Sequence, residues 1–270
     1  VLDPMTDIGA NLTDKRFAHD LDAVLARASA AGVSTLIVTG TSAAGSDDAR
    51  SLCERHPGQL YFTAGIHPHH ASDYCSDSHV RLRHLARHRA CVAIGETGLD
   101  FNRNFSSPAQ QVAAFEQQLE LASETGLPLF LHERDAHAQQ LAMLKSHRNT
   151  ISRAVAHCFT GTADELYGYL ELDLYIGLTG WICDERRGGH LLDLIKDIPA
   201  DRLLLETDAP YLLPRDLRPK PKSGRNEPCY LPHIAERVAK ATGESIEALR
   251  ARLHSNSQTF FALQPDQAGH

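Results

Sequence analysis

Five residues of the kinds that bind metal ions or move protons each close a short apolar run. His67 ends "LYFTAGIH", Glu96 ends "CVAIGE", His132 ends "LPLFLH", His157 ends "RAVAH" and Asp208 ends "RLLLETD". A single histidine at such a place is ordinarily a hydrogen-bonded structural residue. Five such residues on five separate runs point instead to one convergent pocket. Imidazoles and carboxylates together suit a divalent cation that keeps a position open for water or substrate. Such an ion makes its water more acidic and screens charge on an attacked phosphoryl or carbonyl oxygen. Asp208 could ligate the ion and accept a proton from that water. Glu206 shares its face and points deeper, either as a participant or as the buried partner of a cation or a ligand histidine. Cys158, beside His157, is not read as a nucleophile, because neighbours along a strand face opposite ways.

These residues need a scaffold that brings strand ends together. Eight apolar runs, from "TDIGANL" through "STLIVTG" and "LDLYIG" to "RLLLETD", alternate with helical patterns. The spacing predicts helices over Phe17–Ala31, near Asp47–His56 and Ser78–Arg89, after the Ser107–Pro108 cap, from Asp135, from Thr162, around Leu191 and on to Leu263. Repeated strand–helix units require parallel strands with right-handed crossovers, and eight of them make a (β/α)8 TIM barrel. The C-terminal strand ends of such a barrel share one mouth. No G-x-G-x-x-G follows any run, which argues against an open dinucleotide-binding sheet. In the first strand, Asp7, Gly9 and Asn11 are expected to face the interior, with Ile8, Ala10 and Leu12 opposite.

The totals agree with one domain over residues 1–270: 42% apolar and 23% charged residues make a globular chain with a real core. No apolar run approaches the ~18 residues of a membrane span, and the start lacks the pattern of a secretory signal. Met5 is a candidate start, with residues 1–4 an extension. Six cysteines without a C-x-x-C pair suit reduced thiols, hence a cytoplasmic enzyme. A net charge of −7 excludes a surface that coats nucleic acid throughout, though not a local basic groove. The loops after the strands could supply one: Arg103 between Phe101 and Phe105, Arg134, Trp181 with Arg186 and Arg187, Arg215, then "RPKPKSGRNEP" with Arg218, Lys220, Lys222 and Arg225. Trp181, Phe101 and Phe159 are candidate rings for stacking bases.

"GIHPHH", "AIGETGLDFNRNFSSPAQQ", "LPLFLHERDAH", "AHCFTG", "YIGLTGWICDERRG" and "LLLETDAPYLLPRDLRPKPKSGRNEP" resemble, in order, the motifs of the TatD family of metal-dependent deoxyribonucleases, from about Asp7 to Phe261. The resemblance implies a TIM barrel of the metallo-dependent hydrolase superfamily. It also implies a 3′-5′ exonuclease preferring single-stranded DNA, acting on RNA as well, with a role in DNA repair or degradation. Glu96, His132 and His157 would be metal ligands and Asp208 the ligand or base. His67 and His69 would stand at the pocket edge, orienting phosphate or water. Mg²⁺ is the expected metal, with Mn²⁺ or Zn²⁺ as alternatives. Many relatives begin with D-x-H-x-H, whose histidines hold a metal; here those positions are Gly9 and Asn11, so one firmly held ion is expected. The catalytic set is then Asp208, Glu96 and His67; the substrate set is His69, Arg103, Arg134, Trp181, Arg186, Arg215, Lys220 and Arg225. A monomer is expected, with no membrane or obligate protein partner. The alternatives are another hydrolase on the same barrel, such as a D-aminoacyl-tRNA deacylase, and a noncatalytic binding protein.

Overall fold

In the computed structural model, which describes residues 3–263, eight strands lie in chain order in one sheet, each parallel to the next. They are β1 (Met5–Ala10), β2 (Val33–Val38), β3 (Leu60–Ala64), β4 (Cys91–Asp100), β5 (Leu129–Arg134), β6 (Ala154–Ala156), β7 (Tyr175–Leu178) and β8 (Leu203–Leu205). Backbone bonds close the ring just past β8: Asp208 N–H donates to Gly9 O at 2.9 Å and Asn11 N–H to Ala209 O at 2.7 Å. The expected (β/α)8 barrel is the fold.

The helices are α1 (Leu21–Ala30), α2 (Ala43–Arg55), α3 (Ser76–Leu85), α4 (Pro108–Thr125), α5 (His137–Ser146), α6 (Ala163–Glu171), α7 (Gly189–Leu194), α8 (Leu231–Thr242) and α9 (Ile246–Phe261). None is long and apolar enough to cross a membrane. The α4 cap forms as its sequence predicts: Ser107 and Gln110 make a reciprocal capping box, Pro108 opens the first turn, and Gly126 ends the helix at φ 71°. The Phe17–Ala31 pattern is interrupted. Asp14 accepts the Arg16 N–H and nucleates a separate 3-10 turn at Lys15–Phe17 before α1 begins.

Two apolar layers hold the barrel. The outer one packs Leu36, Phe115, Leu119, Leu166 and Ile234 between sheet and helices. The inner one joins Ile8, Ile37, Phe130, Val155 and Leu204 to Tyr175 and to Phe260, Phe261 and Leu263 at the end of α9. These last three residues seal the end where the strands begin. Arg153, just before β6, fixes the seal by donating to Phe260 O at 2.9 Å.

Two strands depart from simple alternation. In β1 the register against β2 slips between Asp7 and Ala10, so Ile8 joins the inner layer. Asp7, expected beside Gly9 and Asn11 in the site, is instead fully buried in the β1–β8 seam, where its carboxylate accepts from the Thr207 backbone and hydroxyl. In β4 the register against β5 slips between Gly95 and Thr97, and the strand runs on from Glu96 to Asp100. Gly95 (φ 146°) and Gly98 (φ 135°) permit it: a Cβ would lie 2.3 Å from Phe130 O at the first and 2.0 Å from His132 O at the second.

Candidate active site

A cavity of about 1410 Å³ opens at the C-terminal ends of the strands. All five residues singled out at strand ends, His67, Glu96, His132, His157 and Asp208, line it. Glu96 is the hub. Its Oε1 lies 3.2 Å from His67 Nε2, 3.0 Å from His132 Nδ1 and 2.9 Å from His157 Nε2. Burial alone would raise the Glu96 pKa, but the charge and hydrogen bonds of the three histidines outweigh it and hold the carboxyl well below its ordinary value.

Carboxylates behind the imidazoles fix which nitrogen carries the proton. Asp100 Oδ2 lies 3.2 Å from His132 Nε2, and Glu206 Oε1 lies 3.3 Å from His157 Nδ1. An ionised carboxylate only accepts, so these nitrogens carry protons; His132 Nδ1 and His157 Nε2 face Glu96, and on losing their protons they would be the nitrogens left to ligate a cation. Burial would lower both histidine pKa values. Hydrogen bonds to Asp100 and Glu96 raise His132 nonetheless, and Glu96 with Glu206 raises His157 well above its ordinary value. His67 is of another kind. Its Nδ1 accepts the His69 N–H at 3.0 Å, and burial lowers its pKa to about 4, so the ring is neutral with its proton on Nε2. Two imidazoles would ligate through the nitrogens that face Glu96, and the third offers a hydrogen.

Asp208 stands at φ 54° in the turn after β8, a left-handed conformation that aspartate tolerates better than most residues. Asn11 Nδ2 donates to its Oδ1 at 3.0 Å, so the amide orients the carboxylate. Burial lifts the Asp208 pKa to about 7. Gly9 leaves room for Glu206: a Cβ there would lie 2.3 Å from Glu206 Oε2. Glu206, fully buried, also accepts the Cys158 N–H, which makes it the buried partner of His157. Cys158 itself lines the cavity, because φ 46° turns it out of the strand pattern. Burial pushes its thiol well above the ordinary range, so it is a poor nucleophile at neutral pH.

Three buried glutamines brace the backbone behind these groups. Gln118 of α4 accepts from Ile66 N at 2.8 Å and donates to Ile66 O at 3.1 Å, beside His67. Gln111 does the same at Asp100 N (2.8 Å) and O (2.9 Å), and Gln140 of α5 accepts from Leu99 N at 3.0 Å.

The mouth is less basic than the loops suggest. His69, Arg134 and Trp181 line the cavity, and so does Phe159; His69 Nε2 lies 2.8 Å from Asp100 Oδ2. Arg103, Arg186, Arg215, Lys220 and Arg225 do not line it, and neither does Phe101, which packs against the outer apolar layer. Acidic neighbours hold three of these cations: Arg186 bonds to Asp184, Arg215 to Glu185 at 2.9 Å, and Arg225 to Asp20 and Glu227 at 2.7 Å each. Arg103 and Lys220 sit on exposed loops. Residues not anticipated stand nearer. Phe105, 68% exposed, meets His69 edge-on at 4.9 Å, and Tyr211, 47% exposed, lines the cavity under the Arg16 guanidinium. Asp100 lies four residues past Glu96, where the apolar run of β4 has already stopped, so the run does not mark it.

The donor set, one carboxylate with two carboxylate-backed imidazoles and a fourth group in Asp208, fits a divalent cation with open positions. Comparison with known proteins agrees. The family model for TatD related DNase matches residues 6–262. A protein of Erwinia billingiae named 3′-5′ ssDNA/RNA exonuclease TatD is 56% identical over 259 residues, covering 96% of this chain and 99% of that one. Among solved structures, a TatD-family hydrolase from Entamoeba histolytica superposes with a TM-score of 0.87 at 27% identity, covering 97% of this chain and 99% of the other. A TatD homologue from Escherichia coli gives 0.87 at 29% identity, covering 96% and 98%. A barrel with this hub, matched over nearly its whole length, belongs to the TatD family of deoxyribonucleases.

Proposed function

We propose that the chain is a metal-dependent 3′-5′ exonuclease acting on single-stranded DNA and on RNA. The observation that carries this reading is the Glu96 carboxylate ringed by three histidines, two of them backed by carboxylates. Glu96, His132, His157 and Asp208 would hold the ion, which we take to be Mg²⁺, with Mn²⁺ or Zn²⁺ able to replace it. When bound, the ion supplies Lewis acidity, making a nearby water more acidic and screening the phosphoryl charge.

The remaining work falls to side chains. Asp208, with its pKa lifted to about 7 by burial and its carboxylate oriented by Asn11, takes the proton of the attacking water at neutral pH. His67, neutral with its proton on the Nε2 that faces Glu96, is placed to donate to a phosphate oxygen. His69 and Arg134 meet the neighbouring backbone, while Trp181 and Tyr211 offer faces to unstacked bases. The named relatives support the polarity and the substrate class, and the monomeric, cytoplasmic state remains part of the same reading.

The decisive assay uses 5′- and 3′-labelled single-stranded DNA with Mg²⁺, Mn²⁺ or Zn²⁺, beside charged tRNA. The 5′ label should give a ladder of shortening strands and the 3′ label a released mononucleotide, both stopped by EDTA. Inert DNA together with deacylated tRNA would replace the reading with the deacylase. No turnover of either substrate would favour a binding protein.

A further inference from the structure

We propose that Glu133, His137 and Glu165 form a second divalent-cation site in the wall of the same cavity, distinct from the Glu96 centre. Glu133 follows His132 on β5 and leaves the strand on the other side. His137 opens α5, and Glu165 lies in the first turn of α6. One donor atom from each residue lies within 4.8 Å of the other two, and all three side chains are partly buried. Glu133 and Glu165 also line the cavity, so the group is open to solvent ions.

The local bonding holds these donors ready. Each carboxylate spends one oxygen on a helix start: Glu133 Oε1 accepts from Ala136 N at 2.8 Å, and Glu165 Oε2 accepts from Thr162 N at 2.7 Å. The second oxygen of Glu133 faces His137 Nδ1 from 3.9 Å, too far for a hydrogen bond. That nitrogen is buried and has no hydrogen-bond partner. On its other side the Tyr169 ring meets the imidazole edge-on at 4.6 Å. Nδ1, unpartnered and facing Glu133, is therefore the nitrogen placed to ligate. Among the described residues no lysine or arginine pairs with Glu133 or Glu165; the only ion pair of Glu133 is the long one to His137. Two carboxylates converging on an orphaned imidazole nitrogen lack a cation, and side-chain movements of about 1 Å would close them to ligand spacing. One imidazole with two carboxylates suits Zn²⁺, Mn²⁺ or Co²⁺.

The proposal does not depend on the nuclease reading, because its test is occupancy. Crystals of the whole chain soaked in Zn²⁺ should show an anomalous peak ~2.1 Å from His137 Nδ1. In equilibrium dialysis of metal-stripped protein against Zn²⁺, His137→Ala and Glu165→Gln should each bind one ion fewer per chain than the parent. Glu165→Gln keeps an oxygen for the Thr162 N–H, which guards against simple loss of fold. A crystal without density at that place, or variants that bind as many ions as the parent, overturns the site. If His137→Ala fails to fold, the soaked parent crystal decides alone.

Discussion

At the end of the barrel where the strands begin, Phe260, Phe261 and Leu263 press on Tyr175 and the inner aliphatic layer. At the end where they finish, the carboxylates of Glu96, Asp100, Glu206 and Asp208 stand among His67, His132 and His157. The same strands supply both ends, yet the two are stabilised differently. The closed end depends on volume, and its contacts are non-directional, so shape-conserving changes there are tolerated. The open end depends on direction: each charged group is held by named donors and acceptors, and losing one partner strands another. Separating fold from function should therefore be possible at either end.

The largest effect is expected at the hub. Glu96→Gln should lower cleavage of labelled DNA by about 10³-fold or more, equivalent to about 4 kcal/mol in barrier, with circular dichroism unchanged. Near-parental cleavage by that variant, after removal of bound metals, would remove the hub from the mechanism. Phe260→Ala sets the opposite case. Truncating a fully buried ring should cost ~3–5 kcal/mol in denaturant unfolding, while the molecules still folded keep the parental kcat.

Gln118→Leu tests whether the ends are as separate as they look. It strands both backbone groups of Ile66, which should cost ~1–3 kcal/mol and, unlike Phe260→Ala, also lower kcat, since His67 is the next residue. Loss of stability with no change in kcat would show that the brace serves the fold alone. The smallest effect belongs to the paired cations. Arg215→Ala should leave stability nearly unchanged and KM for DNA within about twofold, because Glu185 already occupies that guanidinium. Arg134→Ala, on the cavity wall, should raise KM more than Arg215→Ala in the same titration.

Much of the open end was legible in the sequence because periodicity places strand ends, and strand ends of a barrel converge. His67, Glu96, His132, His157 and Asp208 could be picked out by their places after apolar runs. Asp100 could not, since the register slip between Gly95 and Thr97 carries β4 beyond the point where alternation stops being readable. The same kind of slip moved Asp7 from the expected site into the β1–β8 seam. Charge counted along the chain overstates the basic groove, because the partner of a cation can be remote in sequence. Arg225 is held by Asp20, 205 residues away, and no local pattern reveals such a pairing.

Gly9 gives the site a history as well as a shape. A side chain there must push the Glu206 carboxylate away, and Glu206 is what holds the proton on His157 Nδ1. Positions 9, 206 and 157 are thus epistatic: a histidine introduced at 9 is felt at 157, through a residue that itself need not change. In this chain the bareness of position 9 and the basicity of His157 are one coupled property.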